Sequence, residues 1–210
     1  MNVKSSTKFD EMLGKLRIYQ KHPQLLPFIG KNYENGKFNK LLIIGESHYI
    51  ESRKKEEWDN IIKNWYEISN SDLSHNDIGW TTTRGTITES EARFNGNIRS
   101  VLRELGEDLS SISFMNFFQR PAYYKQSIEH SKKDIEIANE TLRLVCDIIL
   151  PDCLLFVSKK SYWKFDRNSD VFQNKKIEAV SHPACAWWYK NGGKHGKQKF
   201  IDFIKNEVQK

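Results

Sequence analysis

Residues 41–45 read Leu-Leu-Ile-Ile-Gly, and the chain runs directly on into Glu-Ser-His-Tyr. An aliphatic run that does not alternate with polar residues must be buried on both faces. That is the mark of a strand inside a sheet covered on both sides. A strand is therefore predicted over 39–45, and three more over 112–118, 153–157 and 176–181.

Between the strands the spacing changes to that of helices. Phe9, Met12, Leu16 and Tyr19 align in a helix predicted over 8–21, which His22-Pro23 ends. Ser52 can cap a helix reaching about 68, with Trp58, Ile61, Ile62 and Trp65 on one face. Further helices are predicted over 91–105, stopped by Gly106, and over 132–150, where Ile135, Ala138, Leu142, Val145 and Ile149 align before Pro151. Shorter ones follow at 160–165 and 197–208. Residues 69–90, rich in Ser, Thr and Asn, read as the longest loop.

Strands alternating with helices imply crossover connections and parallel pairing. The expected architecture is α/β, a three-layer α/β/α sandwich around a central four-stranded, mostly parallel sheet. One domain is expected over 1–210, with 1–38 as an N-terminal helical extension.

Aromatic residues make up 12% of the chain, so disorder is not expected although 29% of residues are charged. No apolar run reaches the length of a membrane span, and the charged start is not that of a signal peptide. A soluble, cytoplasmic monomer without a membrane partner is the expectation. Cys146, Cys153 and Cys185 form no C-x-x-C pair, so buried free thiols are expected, with no metal and no cofactor. The net charge of +6 favours a polyanionic partner without the charge density of a dedicated nucleic-acid wrapper. The excess is greatest near the end, where 192–200 carries lysines at 194, 197 and 199 beside His195 and no acid.

In parallel sheets ligands bind beyond the carboxyl ends of the strands. Three motifs fall there: GESHY after the first predicted strand, FMNFFQRP at the end of the second, and SHPACAWW after the fourth. In the first, Gly45 lets the chain turn off the strand. Glu46 is then placed as a general base or electrostatic anchor, or alternatively as a cap on a neighbouring helix. Ser47 invites comparison with the nucleophile elbow of serine hydrolases, but Tyr49 stands where that elbow needs glycine. Asn116 is a polar amide at an apolar strand end; it either bonds a structural partner or reads the edge of a planar ligand with one donor and one acceptor. His182 is placed to donate a hydrogen bond to developing negative charge. Trp187, Trp188 and Tyr189, close to Lys190, Lys194 and Lys197, suit base stacking with phosphate contact, or ordinary packing.

In this order the three motifs resemble those of the uracil-DNA glycosylase superfamily. That family carries a G-Q-D-P-Y, G-E-A-P-G or G-I-N-P-G motif after its first strand, an Asn at the end of its second, and a late H-P-S opening a DNA-contacting loop. LLIIGESHY, ISFMNFFQRP and AVSHPACAWW match them, and the likeness runs from about residue 39 to the C-terminus. It implies an enzyme acting on single-stranded or damaged DNA, which hydrolyses the N-glycosidic bond of a flipped-out, uracil-like base. Glu46 and His182 would be catalytic. Tyr49, Asn116 and Ser47 would line the base pocket, and Arg120, Trp187, Trp188, Lys194 and Lys197 would contact DNA. The chain departs from the family at Ser47, which replaces the water-activating Asp or Asn of several branches. It departs again at His48, in place of proline, and at Ala184, in place of the serine of H-P-S. The iron–sulfur cysteines of some branches are missing. A non-catalytic nucleobase-binding module is the alternative, and a serine hydrolase using Ser47 the third.

Overall fold

The computed structural model describes residues 5–50, 55–123, 126–189 and 195–209. Its strands in chain order are β1 (Phe28–Ile29), β2 (Leu41–Gly45), β3 (Tyr49–Ile50), β4 (Ile112–Asn116), β5 (Ala122–Tyr123), β6 (Cys153–Phe156) and β7 (Lys176–Ala179). Five of them form one sheet in the order β1-β4-β2-β6-β7. The β4-β2, β2-β6 and β6-β7 pairs are parallel, and β1 pairs antiparallel with β4. β3 and β5 form a separate parallel pair just beyond the ends of β2 and β4.

The four predicted strands are all present, but the sheet has five, not four. The extra one, β1, is two residues long between Pro27 and Gly30, too short to carry a pattern of its own. Gly30 makes the docking possible. A Cβ there would overlap the backbone carbonyls of Leu109 and Ser110. The N-terminal residues also belong to the core, where Phe9, Leu13, Tyr19 and Leu25 are buried.

Alternate residues of each strand enter different apolar clusters, as the two-residue period of a strand requires. Leu42, Ile44, Met115, Leu154 and Phe156 pack with Ala138, Leu142, Val145 and Ile149 of the Lys132–Ile149 helix. Leu41, Ile43, Ile112, Phe114 and Leu155 pack with Ile98, Val101 and Leu102 of the Arg93–Glu104 helix and with Phe200, Ile201 and Ile204 near the C-terminus. All five residues of β2 are buried. At about 1.5–3 kcal/mol per buried aliphatic side chain, this strand is a firmly fixed support for the polar residues at 46–49.

Residues 69–90, expected to be a loop, are largely helical: a 3-10 turn at Asn70–Asp72, then helices His75–Thr81 and Thr83–Glu89. Their polar residues make local bonds that substitute for an obvious apolar face. Ser69 with Asp72 and Ser74 with Asp77 form capping boxes. Thr81 and Thr88 donate back to the carbonyls of Asp77 and Arg84, at 2.9 and 2.7 Å. The helix predicted over 8–21 is two short helices, Asp10–Leu13 and Arg17–Lys21. The predicted 52–68 helix is seen as Lys55–Asn64, and its cap candidate Ser52 lies outside the described residues. The closing segment is helical over Gly196–Phe203 and widens into a π-turn over Ile204–Val208. Among the described residues no helix is long and apolar enough to cross a membrane.

Candidate functional site

The site begins where β2 and β4 end side by side, with Gly45 in register with Asn116. The Asn116 amide lies across Gly45, where any Cβ would overlap Oδ1 and come within 3.1 Å of the Phe114 ring. Asn116 is only 9% exposed, and its side-chain amide bonds no group among the described residues. Its polar atoms are not among the fully buried ones that lack a partner, so the amide keeps an opening to solvent and is free to bond a ligand there.

Glu46 follows directly. Its carboxylate is held from two sides by segments far away in sequence. Ser127 Oγ and the Ile128 backbone N–H (3.2 Å) donate to Oε1, and Ser158 Oγ donates to Oε2 at 3.0 Å. Lys160 secures one side of this clamp by donating to Ser127 Oγ at 3.0 Å and to the Ile128 carbonyl. A carboxylate offers about four lone-pair positions, so the one left open lies on Oε2. Ser158 also caps the Lys159–Lys164 helix, and Ser161 Oγ donates to the Gly45 carbonyl at 3.3 Å.

His182 reaches the same place from beyond β7. The Ala184 N–H donates to its Nδ1 at 3.2 Å, so in the neutral ring the proton sits on Nε2. Burial lowers the His182 pKa, and the nearby Glu46 carboxylate only partly offsets this, which keeps the ring neutral at neutral pH. Phe94 connects the parts: its ring is 4.9 Å from the His182 ring and 6.0 Å from Phe114, which borders Gly45. Tyr49, half-buried in β3, has its phenol pKa raised by burial and by Glu46. Ser47 is half-buried, and its hydroxyl has no partner among the described residues. Thus Glu46, Ser47, Tyr49, Asn116 and His182 are brought to one end of the sheet.

His48 points elsewhere. It is buried against Thr83, with Nε2 3.0 Å from Oγ1 of a hydroxyl that itself donates to the Leu25 carbonyl. Burial pushes its pKa down to about 3, so it is a neutral structural residue.

The surface expected to contact DNA is differently disposed. Arg120 forms a two-point ion pair with buried Asp134, at 2.8 and 2.9 Å, and also donates to the Glu129 carbonyl. Its charge is committed inside the protein. Trp188 is fully buried against Phe200, and Lys197 is paired with Glu104 at 2.7 Å. Arg120 and Trp188 are therefore structural, whereas the Lys197–Glu104 pair is a partly exposed one at the surface. Trp187 is exposed, and Lys194 lies outside the described residues.

Sequence reasoning passed over four residues that shape the site: Phe94, Ser127, Ser158 and Lys160. Ser158 was within reach, since it follows β6 at a strand end like the other motifs. Ser127, Lys160 and Phe94 sit in stretches with no pattern pointing to the site. A comparison with protein-family models finds no match for the chain, and neither does one with curated proteins.

Proposed function

We propose that the site binds a planar nucleobase and hydrolyses its N-glycosidic bond in DNA, in the manner of a divergent DNA glycosylase. The observation that carries this reading is an Asn116 amide with no partner among the described residues, laid across Gly45 at the strand end from which the clamped Glu46 follows, with neutral His182 near that carboxylate. Asn116 offers one donor and one acceptor to a base edge. The His182 Nε2–H stabilises the negative charge that develops on the departing base. Glu46, with one lone pair open on Oε2, orients the attacking water and stabilises positive charge growing on the sugar. A base in a stacked duplex is beyond the reach of such a site, so the base enters flipped out. The two apolar clusters on alternate strand residues support the three-layer sandwich such enzymes use.

Release of free base from uracil- or hypoxanthine-containing oligonucleotides tests the proposal. Base release is expected from the native protein and to be lost in Glu46→Gln and His182→Ala. Activity surviving in both variants overturns these roles.

One observation favours a second reading, a non-catalytic nucleobase-binding module. Three donors already engage the Glu46 carboxylate, and Ser47, a poor base, stands in the water-activating position. Binding of such oligonucleotides without turnover selects this reading. A serine hydrolase finds no support, because neither Ser47 nor the His48 ring engages the other.

A further inference from the structure

With Arg120 and Trp188 buried in the protein and Lys197 paired with Glu104, a nucleic-acid strand needs another surface, and the fold supplies one beside Glu46. The short helix Lys159–Lys164 and the turn after it read KKSYWKFDR from 159 to 167. Trp163 is 74% exposed, the most exposed large apolar side chain among the described residues. Lys159 lies one helical turn before Trp163 on the same face, and Lys160 and Lys164 share the neighbouring one. None of Lys159, Lys160, Lys164 and Arg167 forms an ion pair with a carboxylate among the described residues. The local acids are turned to their own backbone or neighbours: Asp166 accepts from the Asn168 N–H at 3.0 Å, and Asp170 from Gln173 at 2.6 Å.

The segment is also rigidly attached to the candidate site. Ser158 caps the helix and donates to Glu46, Ser161 donates to the Gly45 carbonyl, and Lys160 reaches the Ser127 clamp. Tyr162 packs edge-on against Phe156 of β6, with the Arg167 guanidinium 4.2 Å from its ring centre. A solvated charge run needs no exposed tryptophan, and a tryptophan exposed by chance has no reason to sit on a cationic helix fixed to the site.

We infer that the 159–167 segment is a docking surface for a single-stranded stretch of nucleic acid, with Trp163 as a stacking platform for one base and Lys159, Lys164 and Arg167 contacting phosphates. Stacking on an aromatic face tolerates any base, and phosphate contact tolerates any sequence, so this surface supplies affinity and leaves selectivity to the pocket. That this strand carries the base to the pocket rests on the glycosylase reading; the docking surface itself does not require catalysis.

The test is fluorescence anisotropy with a labelled, unmodified single-stranded DNA oligonucleotide, over a series of salt concentrations. Trp163→Ala is expected to weaken binding about tenfold, and Trp163→Phe to recover most of it. Lys159→Ala combined with Lys164→Ala is expected to lower the slope of log affinity against log salt by about 1.4. All of these positions are at the surface, and circular dichroism checks that each variant is folded. No binding by the native protein, or unchanged affinity in both the tryptophan and the lysine variants, overturns the inference. So does equal binding to anionic phospholipid vesicles with the same losses, which would make the patch a general cationic surface. Because the oligonucleotide has no modified base, these outcomes are independent of base release. Binding lost on Trp163→Ala in a protein that releases no base sinks the glycosylase reading alone.

Discussion

Asn116 stands so close over Gly45 that residue 45 has room for no side chain, although both strands are buried and held in register there. The pairing fixes where the amide sits, and the glycine gives it space to lie flat across the strand end. The identity of residue 45 therefore governs the presentation of residue 116.

Gly45→Ala separates these effects. The new methyl meets the movable end of the Asn116 side chain and the edge of the Phe114 ring, so the amide must swing away. A modest stability loss of about 1–2 kcal/mol is expected by urea denaturation. Under the proposed function, base release or oligonucleotide binding by the pocket should fall to the level of Asn116→Ala. A variant with native activity would show that the amide's position is immaterial.

The clamp on Glu46 makes its own prediction. Ser127→Ala with Ser158→Ala removes the two hydroxyl donors and leaves only the Ile128 N–H. The carboxylate then has freedom to turn, and under the proposed glycosylase activity a loss of about tenfold or more in kcat with little change in KM is expected from its misplacement. Steady-state base release measures both constants. An equal rise in KM alone would assign the serines to binding.

Arg120 should act on stability and not on nucleic acid. Burial works to raise the Asp134 pKa, but bonds from Arg120, the Ser131 N–H and the Tyr66 hydroxyl outweigh it and hold the carboxyl at about 2. Arg120→Met leaves a buried carboxylate without its cation, which is expected to cost about 3–5 kcal/mol in chemical denaturation. The salt dependence of DNA binding should be unchanged. In the native protein the Asp134 contribution is present above the unfolded carboxyl value and is lost as pH falls from about 4 toward 2.

His48 predicts acid sensitivity in a different window. The unfolded chain protonates this imidazole below about pH 6.5, whereas in the folded protein burial holds its pKa at about 3. Stability therefore falls on acidification between these values, by about 3 kcal/mol from pH 7 to pH 4. His48→Gln, which keeps a donor for Thr83, should be less stable at pH 7 yet lose that much less on going to pH 4. Unfolding free energies at the two pH values decide it.

What could be read from the chain depended on how local its cause is. The four longer strands were legible because burial on both faces writes itself into consecutive residues, as in Leu41–Ile44 and Leu154–Phe156. The helices at 75–89 were not, since threonines bonding back to their own carbonyls resemble a polar loop. β1 escaped because its two residues are defined only by the edge of β4. The meeting of Glu46, Asn116 and His182 followed from a positional rule, that parallel strands deliver their following residues to one end of the sheet.

The fate of individual side chains was a different matter. Arg120, Trp188 and Lys197 looked alike in sequence to a DNA-facing set, yet Asp134, Phe200 and Glu104 hold them. Conversely, nothing near Ser127 or Lys160 in sequence connects them with Glu46. The sequence by itself determined the α/β class, the parallel core and the end of the sheet where polar groups gather, because periodicity and burial are local properties. Only the tertiary structure decided which charges face solvent and which face each other. Coulombic and hydrogen-bond energies fall steeply with distance, and those distances are fixed by contacts between residues far apart in the chain.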